Sequence, residues 1–501
     1  MDNVVTQGDS PGSDGGWTPR LVVSLVSMML LLEILAVSYA MVSMAIPSIS
    51  AHFRTAQGAW LITAFLLVGA ITGPVLGKLA DVYGKRKVLL GSVAVSAVGS
   101  LISALAPSFG VLIFGRCLTG FLASAVFLSY SLIRDIFPGK TVALAVSLCT
   151  TGMGLIAIAA PFLGGWLIDS FGFRSLFWFF AVALVVFGVL ILLSTPESVV
   201  RLRSRIDWAG AILLGAGIAA VLVAISFGPS WGWANGSTLA YLIGGVVLLG
   251  CWLVSAMKVA EPLIDLHVLR RRPVFLTAIA SSFCYGGSAL LTVLLPMVIM
   301  TPAALHLGYG FGVDAKGFAL YQTPNSITVI LAGMLTGMLI GRRNIRPRVL
   351  MAVGLFILAV GFALIAVQHD SKVLLMVFMG VAGIGIGLGY SSIPNILIEA
   401  VPPQLQATTS SVVNAIQSII SSVVTLLVFT VLNNSYRAPI PAEVTHGATL
   451  YTDAGYRVAF LIGTVGAVIG ALAALGLPRR IERVGVPTDT SGDEDAPVLA
   501  H

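Results

Sequence analysis

Charge is what this sequence has least of. Only 10% of its 501 residues are Asp, Glu, Lys or Arg, against roughly 25% in soluble domains. With 57% hydrophobic residues, a water-soluble globule could not hide the apolar surface, which excludes the soluble enzyme and soluble binding-module classes. Cysteine is also scarce. Cys117, Cys149, Cys251 and Cys284 lie inside apolar stretches with no CxxC pair, so neither a disulfide framework nor a zinc site is expected. His52, His267, His306, His369, His446 and His501 fall in loops or the tail, leaving no relay or metal cluster. There is no Walker loop. The run Gly380, Gly383, Gly385, Gly387, Gly389 has no lysine and no preceding strand, so it reads as close helix packing and not as a phosphate cradle. No paired acids or hydrolase constellation appear, and no enzyme activity or cofactor is expected.

What the chain has in quantity is long apolar runs. They occupy 21–46, 58–80, 88–106, 111–133, 141–167, 175–195, 206–227, 238–257, 274–300, 317–340, 348–367, 373–396, 407–433 and 458–477. Each is long enough to span a bilayer. None alternates with period two, so the spans are helices and not barrel strands. The expected fold is an all-α integral membrane protein of 14 transmembrane helices.

The net charge of +7 reads as a topology signal and not as a nucleic-acid footprint. Of the 28 Lys and Arg residues, 21 fall in alternate segments such as 78–87, 258–272 and 342–348. That asymmetry places both termini in the cytoplasm. The first twenty residues, with Asp2, Asp9 and Asp14, read as a retained tail and not as a signal peptide.

An internal repeat organises the chain. Gly77, Leu79 and Arg86 recur 260 positions later as Gly337, Leu339 and Arg346, with Asn344 in the place of Gly84. Asn is the ordinary residue that best tolerates a left-handed turn. The expected organisation is a tail at 1–20, a six-helix half at 21–195, an inserted two-helix region at 196–273, a second six-helix half at 274–477 and a tail at 478–501. Two such halves around a midplane site describe an alternating-access transporter.

Ionised groups are costly in a membrane, about 2.5–3.5 kcal/mol at a helix centre, which singles out Glu33 and Arg116. Their depths, about 12 Å and about 8 Å below one surface at 1.5 Å per residue, allow an ion pair or a shared water, and with it a proton-loading switch. A permanent neutralising pair is the plainer alternative. In 77–87, Gly77, Asp81 and Gly84 precede the run Lys85-Arg86-Lys87. Such a turn can bring Asp81 to a helix N-terminus or a cation as a latch. Pro161, Gly164 and Gly165 suit a bent, closely packed span. Tyr39, Tyr130, Tyr285, Gln322 and Asn414, with Asn325, Asn395 and Gln417, are polar residues within spans that either line a cavity or bond neighbouring helices.

These residues resemble the major facilitator superfamily and, within it, the fourteen-span drug:proton antiporter group. Gly77, Leu79, Asp81, Gly84, Lys85, Arg86 and Lys87 are similar to the family's gating loop, with Val82 where arginine is usual. Arg116 with Gly120 resembles the fourth-span proton-transfer motif, with Thr119 and Leu122 as departures. Pro161, Gly164 and Gly165 resemble the antiporter motif, with Ala160 replacing a glycine. Ser38, nine residues before Pro47, stands where the group carries an acid. Glu33 lies five residues away, roughly 140° round the helix. The resemblance implies proton-coupled efflux of amphipathic small molecules or drugs by a monomer, with the proton as coupling ion. Export of one endogenous metabolite, lipid or siderophore is the alternative, and a non-transporting sensor a more distant one.

Overall fold

The computed structural model describes residues 17–478 apart from 56–57, 59, 152–154, 203–205, 260, 304–306, 314 and 436–450. Both expected tails and most of the loop before the last span therefore lie outside the described residues. The described parts of the apolar runs are almost entirely helical, because only internal hydrogen bonds satisfy a backbone in lipid. A first group comprises α1 (Pro19–Phe53), α2 (Trp60–Tyr83), α3 (Lys85–Ala104), α4 (Phe109–Thr119), α5 (Ala125–Ile136), α6 (Gly139–Thr151), α7 (Leu155–Phe171) and α8 (Arg174–Ser194). Then follow α9 (Trp208–Trp231), α10 (Gly236–Lys258) and the single turn α11 (Leu266–Leu269). The last group is α12 (Arg272–Ile299), α13 (Ala315–Arg343), α14 (Pro347–Val367), α15 (Lys372–Ala400), α16 (Gln406–Asn434) and α17 (Asp453–Leu475).

Among the described residues, 13 helices are long and apolar enough to cross a membrane, one fewer than the sequence leads one to expect. The difference lies at 141–167, which falls on α6 and α7 to either side of residues 152–154. Neither piece reaches spanning length alone. The run 111–133 is also interrupted, since a 3-10 turn at Gly120–Ser124 joins α4 to α5, but together they make one span.

Local chemistry sets the helix boundaries. Asp207, Asn235 and Thr452 each accept a backbone N–H from the first turn of α9, α10 and α17, the usual N-cap device. Positive φ breaks α2 from α3 at Gly84 (119°) and α13 from α14 at Asn344 (51°). The two repeats thus turn at the same place, the second with an Asn as its sequence suggests.

Helices α1–α8 share one buried core and α12–α17 another. Helix α9 pairs with α10 and lies across both groups, with Ala211, Leu214 and Ile218 in one cluster with Val412 and Ala415 of α16 and Ala70 of α2. Its far end is tied to α2 by Phe227, 4.6 Å from the Trp60 ring and stacked at 5.1 Å on Trp231. One end of the molecule gathers Arg20, bonded to the Ser194 carbonyl at 3.0 Å, together with Lys85 and Arg134. This basic end is opposite the end where Arg174 holds the Ala106 carbonyl and His369 meets Asp453.

Candidate functional site

The two helix groups meet chiefly in two crossings, α2 with α16 and α6 with α13. The repeat glycines sit at both. A Cβ on Gly77 would lie 2.8 Å from Ser411 Oγ and 2.9 Å from the Ala407 carbonyl, and one on Gly337 would lie 2.7 Å from Ser147 Cβ. Only a residue without a side chain allows these backbones to close. Gly333, one turn further, makes the same approach to Thr151.

At the basic end Asp81 is fully buried and accepts from the Thr408 N–H at 2.8 Å, the Thr408 hydroxyl at 2.8 Å and the Ala407 N–H at 3.3 Å. A carboxylate from α2 therefore caps the N-terminus of α16 in the other group, where helix dipole and free N–H groups favour an anion. Lys85, also buried, bonds Asp135 at 2.6 Å and the Pro403 carbonyl at 3.1 Å. Arg134 reaches the Val401 carbonyl and Gln406. Gly84 opens a place for Glu197, whose carboxylate accepts the Arg86 and Lys87 N–H groups that begin α3. The Arg86 guanidinium binds the Leu192 carbonyl, so this residue of the loop motif works within its own group and not across the crossing. Helix α7 approaches α1 through Gly164, where a Cβ would meet Met41 at 3.0 Å, whereas Gly165 faces open space. The Pro161 side chain lies outside the described residues.

Glu33 is 1% exposed and Arg116 fully buried. Arg116 donates to Ser38 Oγ at 3.1 Å and to the Leu61 carbonyl at 3.1 Å, and its guanidinium lies 4.7 Å from the Phe65 ring centroid. Its second terminal nitrogen has no hydrogen-bond partner among the described residues. The depth argument from sequence paired Arg116 with Glu33. The structure instead turns Arg116 toward the face of α1 that carries Ser38, and Glu33 lies within electrostatic reach of Cys149 on α6. Equal depth does not fix azimuth, and the five-residue offset puts the two positions on different faces.

Beyond the crossings, away from the basic end, a cavity of about 280 Å³ opens between the groups. Val126 and Thr150 form its wall on one side, and Tyr285, Asn325, Tyr390 and Asn414 on the other. Tyr285 and Tyr390 are stacked, with centroids 4.3 Å apart and planes at 25°. Tyr130 lies buried beside Thr150 without a well-formed hydrogen bond. Of the polar span residues singled out from sequence, Tyr285, Asn325 and Asn414 line this cavity. Tyr39, 43% exposed, and Gln322 do not. Tyr390, with Thr150, Thr151, Ser288 and Ser326, lines the cavity and was missed by sequence reasoning; a single tyrosine after a glycine run carries no periodic signal. A larger cavity of about 570 Å³ lies at the basic end, with Arg134, Asn344 and Glu399 on its walls.

Two groups of apolar helices that meet at one end, with a polar cavity behind the meeting, make a multi-pass membrane fold. The chain belongs to the Major Facilitator Superfamily, whose sequence profile matches residues 28–425. It is 28% identical over 349 residues to an uncharacterized MFS-type transporter of Mycobacterium tuberculosis, covering 69% of this chain and 50% of that one. The chain thus spans about half the length of that relative. Multidrug resistance protein Stp of the same species is 29% identical over 412 residues, covering 80% of this chain and 74% of Stp. In fold the chain is similar to the human organic anion transporter MFSD10, with a TM-score of 0.62 at 15% identity, covering 91% of this chain and all of that one.

Proposed function

We propose that this protein exports amphipathic small molecules across the cytoplasmic membrane in exchange for protons, working as a monomer by alternating access between the α1–α8 and α12–α17 groups. The observation that carries the reading is Glu33, an ionisable group 1% exposed in the middle of a membrane span, where a charge without a task is a pure cost. The names of relatives such as Stp, a multidrug resistance protein, support efflux of drugs. In this reading α6 and α7 are one bent crossing, which brings the spans to fourteen and puts the basic end and both termini in the cytoplasm. The structure then corresponds to the state closed on the inside, with Asp81, Gly77 and Gly337 as the inner gate and Arg116 and Glu33 on the proton path. One charge crossing about 100 mV releases about 2.3 kcal/mol, enough for roughly a forty-fold gradient.

Inverted vesicles with an acid interior test this directly. A fluorescent amphipathic dye should accumulate in vesicles carrying the wild type and fail to do so with Glu33→Gln, while both proteins show equal expression and equal gradient-free exchange. Equal accumulation in both removes Glu33 from the coupling. Hydroxyl and amide groups in the central cavity favour a second reading, export of one endogenous metabolite. Narrow competition among unrelated apolar compounds would select it.

A further inference from the structure

We infer that the central cavity selects neutral, planar aromatic molecules bearing carbonyl or hydroxyl groups, and discriminates against organic cations. The inference rests on the transporter reading above and narrows its substrate. Four observations meet here. Among the described residues, none that lines the cavity carries a charge, so an organic cation entering it would lose hydration with no carboxylate to replace it. Tyr285 and Tyr390 form a ready stack at 4.3 Å, both half-buried, onto whose outer face a further flat ring can add in the offset geometry that aromatic pairs prefer. Each tyrosine already turns one face to the other, so a cation would meet one outer ring face and not a cage of several. Lastly, the polar groups at the wall have capacity to spare. The Asn414 side-chain amide makes no hydrogen bond within the protein among the described residues; only its main-chain carbonyl is used, by Ser418. An amide and a phenol accept and donate to carbonyl and hydroxyl groups without requiring charge. The volume of about 280 Å³ is at the small end of ligand pockets, roughly 300–1,000 Å³, and suits a compact fused-ring molecule.

The test compares two tricyclic probes of similar size, neutral 1-hydroxyanthraquinone and cationic N-methylacridinium, binding to the full-length protein in lipid nanodiscs. Equilibrium dialysis with protein-free nanodiscs as the blank, and without any pH gradient, reads binding apart from coupling. The neutral probe should bind at least about tenfold more tightly, or about 1.4 kcal/mol. Tyr390→Leu and Asn414→Leu should each weaken it about tenfold, whereas Tyr390→Phe, which keeps the ring, should stay within about threefold. Equal or tighter binding of the cation overturns the inference, as does unchanged binding of the neutral probe in both leucine variants with the elution profile of the wild type. Should the neutral probe bind as described while a proton gradient drives no uptake, antiport fails and this selectivity stands. Gradient-driven uptake of cations alone would sink the selectivity and leave antiport intact.

Discussion

Arg116 of α4 donates to the Ser38 hydroxyl of α1 at 3.1 Å, so a fully buried guanidinium is met by a neutral group at the position where the resembling antiporters carry an acid. A buried charge gains most from an opposite charge already held at hydrogen-bond distance. Ser38→Asp should therefore raise the thermal midpoint and slow gradient-driven transport, because the new ion pair must be broken in each cycle. Ser38→Ala should lower stability by about 1–3 kcal/mol, the cost of a buried donor left unmade. Thermal unfolding in detergent alongside vesicle transport reads both, and identical midpoints for all three proteins would show that Ser38 has no hold on Arg116.

The proposed inner gate should be jammed open by volume alone. Gly77→Val and Gly337→Val each place atoms where the opposite helix already lies, at 2.7–2.8 Å even for a bare Cβ, so the basic end should not close. A single cysteine at Ser326, which lines the central cavity, in a cysteine-free background should then react faster with a membrane-impermeant thiol reagent added from the basic side. Asp81→Asn keeps the shape of the Thr408 contact but removes the charge that favours the α16 N-terminus, typically about 0.3–2 kcal/mol. It should shift the same labelling by a smaller factor and slow turnover. Wild-type labelling in all three variants would dismiss these residues as the gate.

The two repeat turns differ in tolerance. Gly84 has φ 119° with the Glu197 carboxylate 2.9 Å from where a Cβ would sit, whereas Asn344 at φ 51° occupies the ordinary left-handed region. Gly84→Asn should cost about 1–3 kcal/mol of strain and release Glu197 from the start of α3. Asn344→Gly should be nearly silent. Folded yield and thermal midpoint distinguish them, and equal losses would contradict the difference in backbone geometry.

A neutral substrate exchanged for a proton leaves one net charge crossing per cycle. Export should therefore respond to membrane potential as well as to the pH gradient. Potassium-diffusion potentials in proteoliposomes at uniform pH check this: an inside-negative or inside-positive potential should drive opposite net fluxes of 1-hydroxyanthraquinone. Indifference to the potential would indicate electroneutral exchange.

The sequence carried much of the fold and less of the site. Spans were legible because bilayer thickness imposes a length and the cost of unsatisfied backbone imposes helix, and the 260-residue repeat marked the glycines that form both crossings. The contact of Asp81 with a helix N-terminus was readable because its chemistry is local: an acid beside two glycines seeks free backbone N–H groups. Its partner, Thr408, and the capping role of Glu197 were not readable, since both depend on which chain segment arrives 327 or 111 residues away. Arg116 illustrates the remaining gap. Depth along a helix follows from counting residues, but the face it turns to its neighbours is settled by packing, and packing chose Ser38 over Glu33.

Helix α9 covers the α2–α16 crossing from one group to the other, while the α6–α13 crossing has no such cover among the described residues. Molecules dissolved in the bilayer therefore meet one sealed flank and one bare one. If the proposed transport draws its substrate from the lipid, the α9–α10 pair leaves the α6–α13 flank as the side of approach.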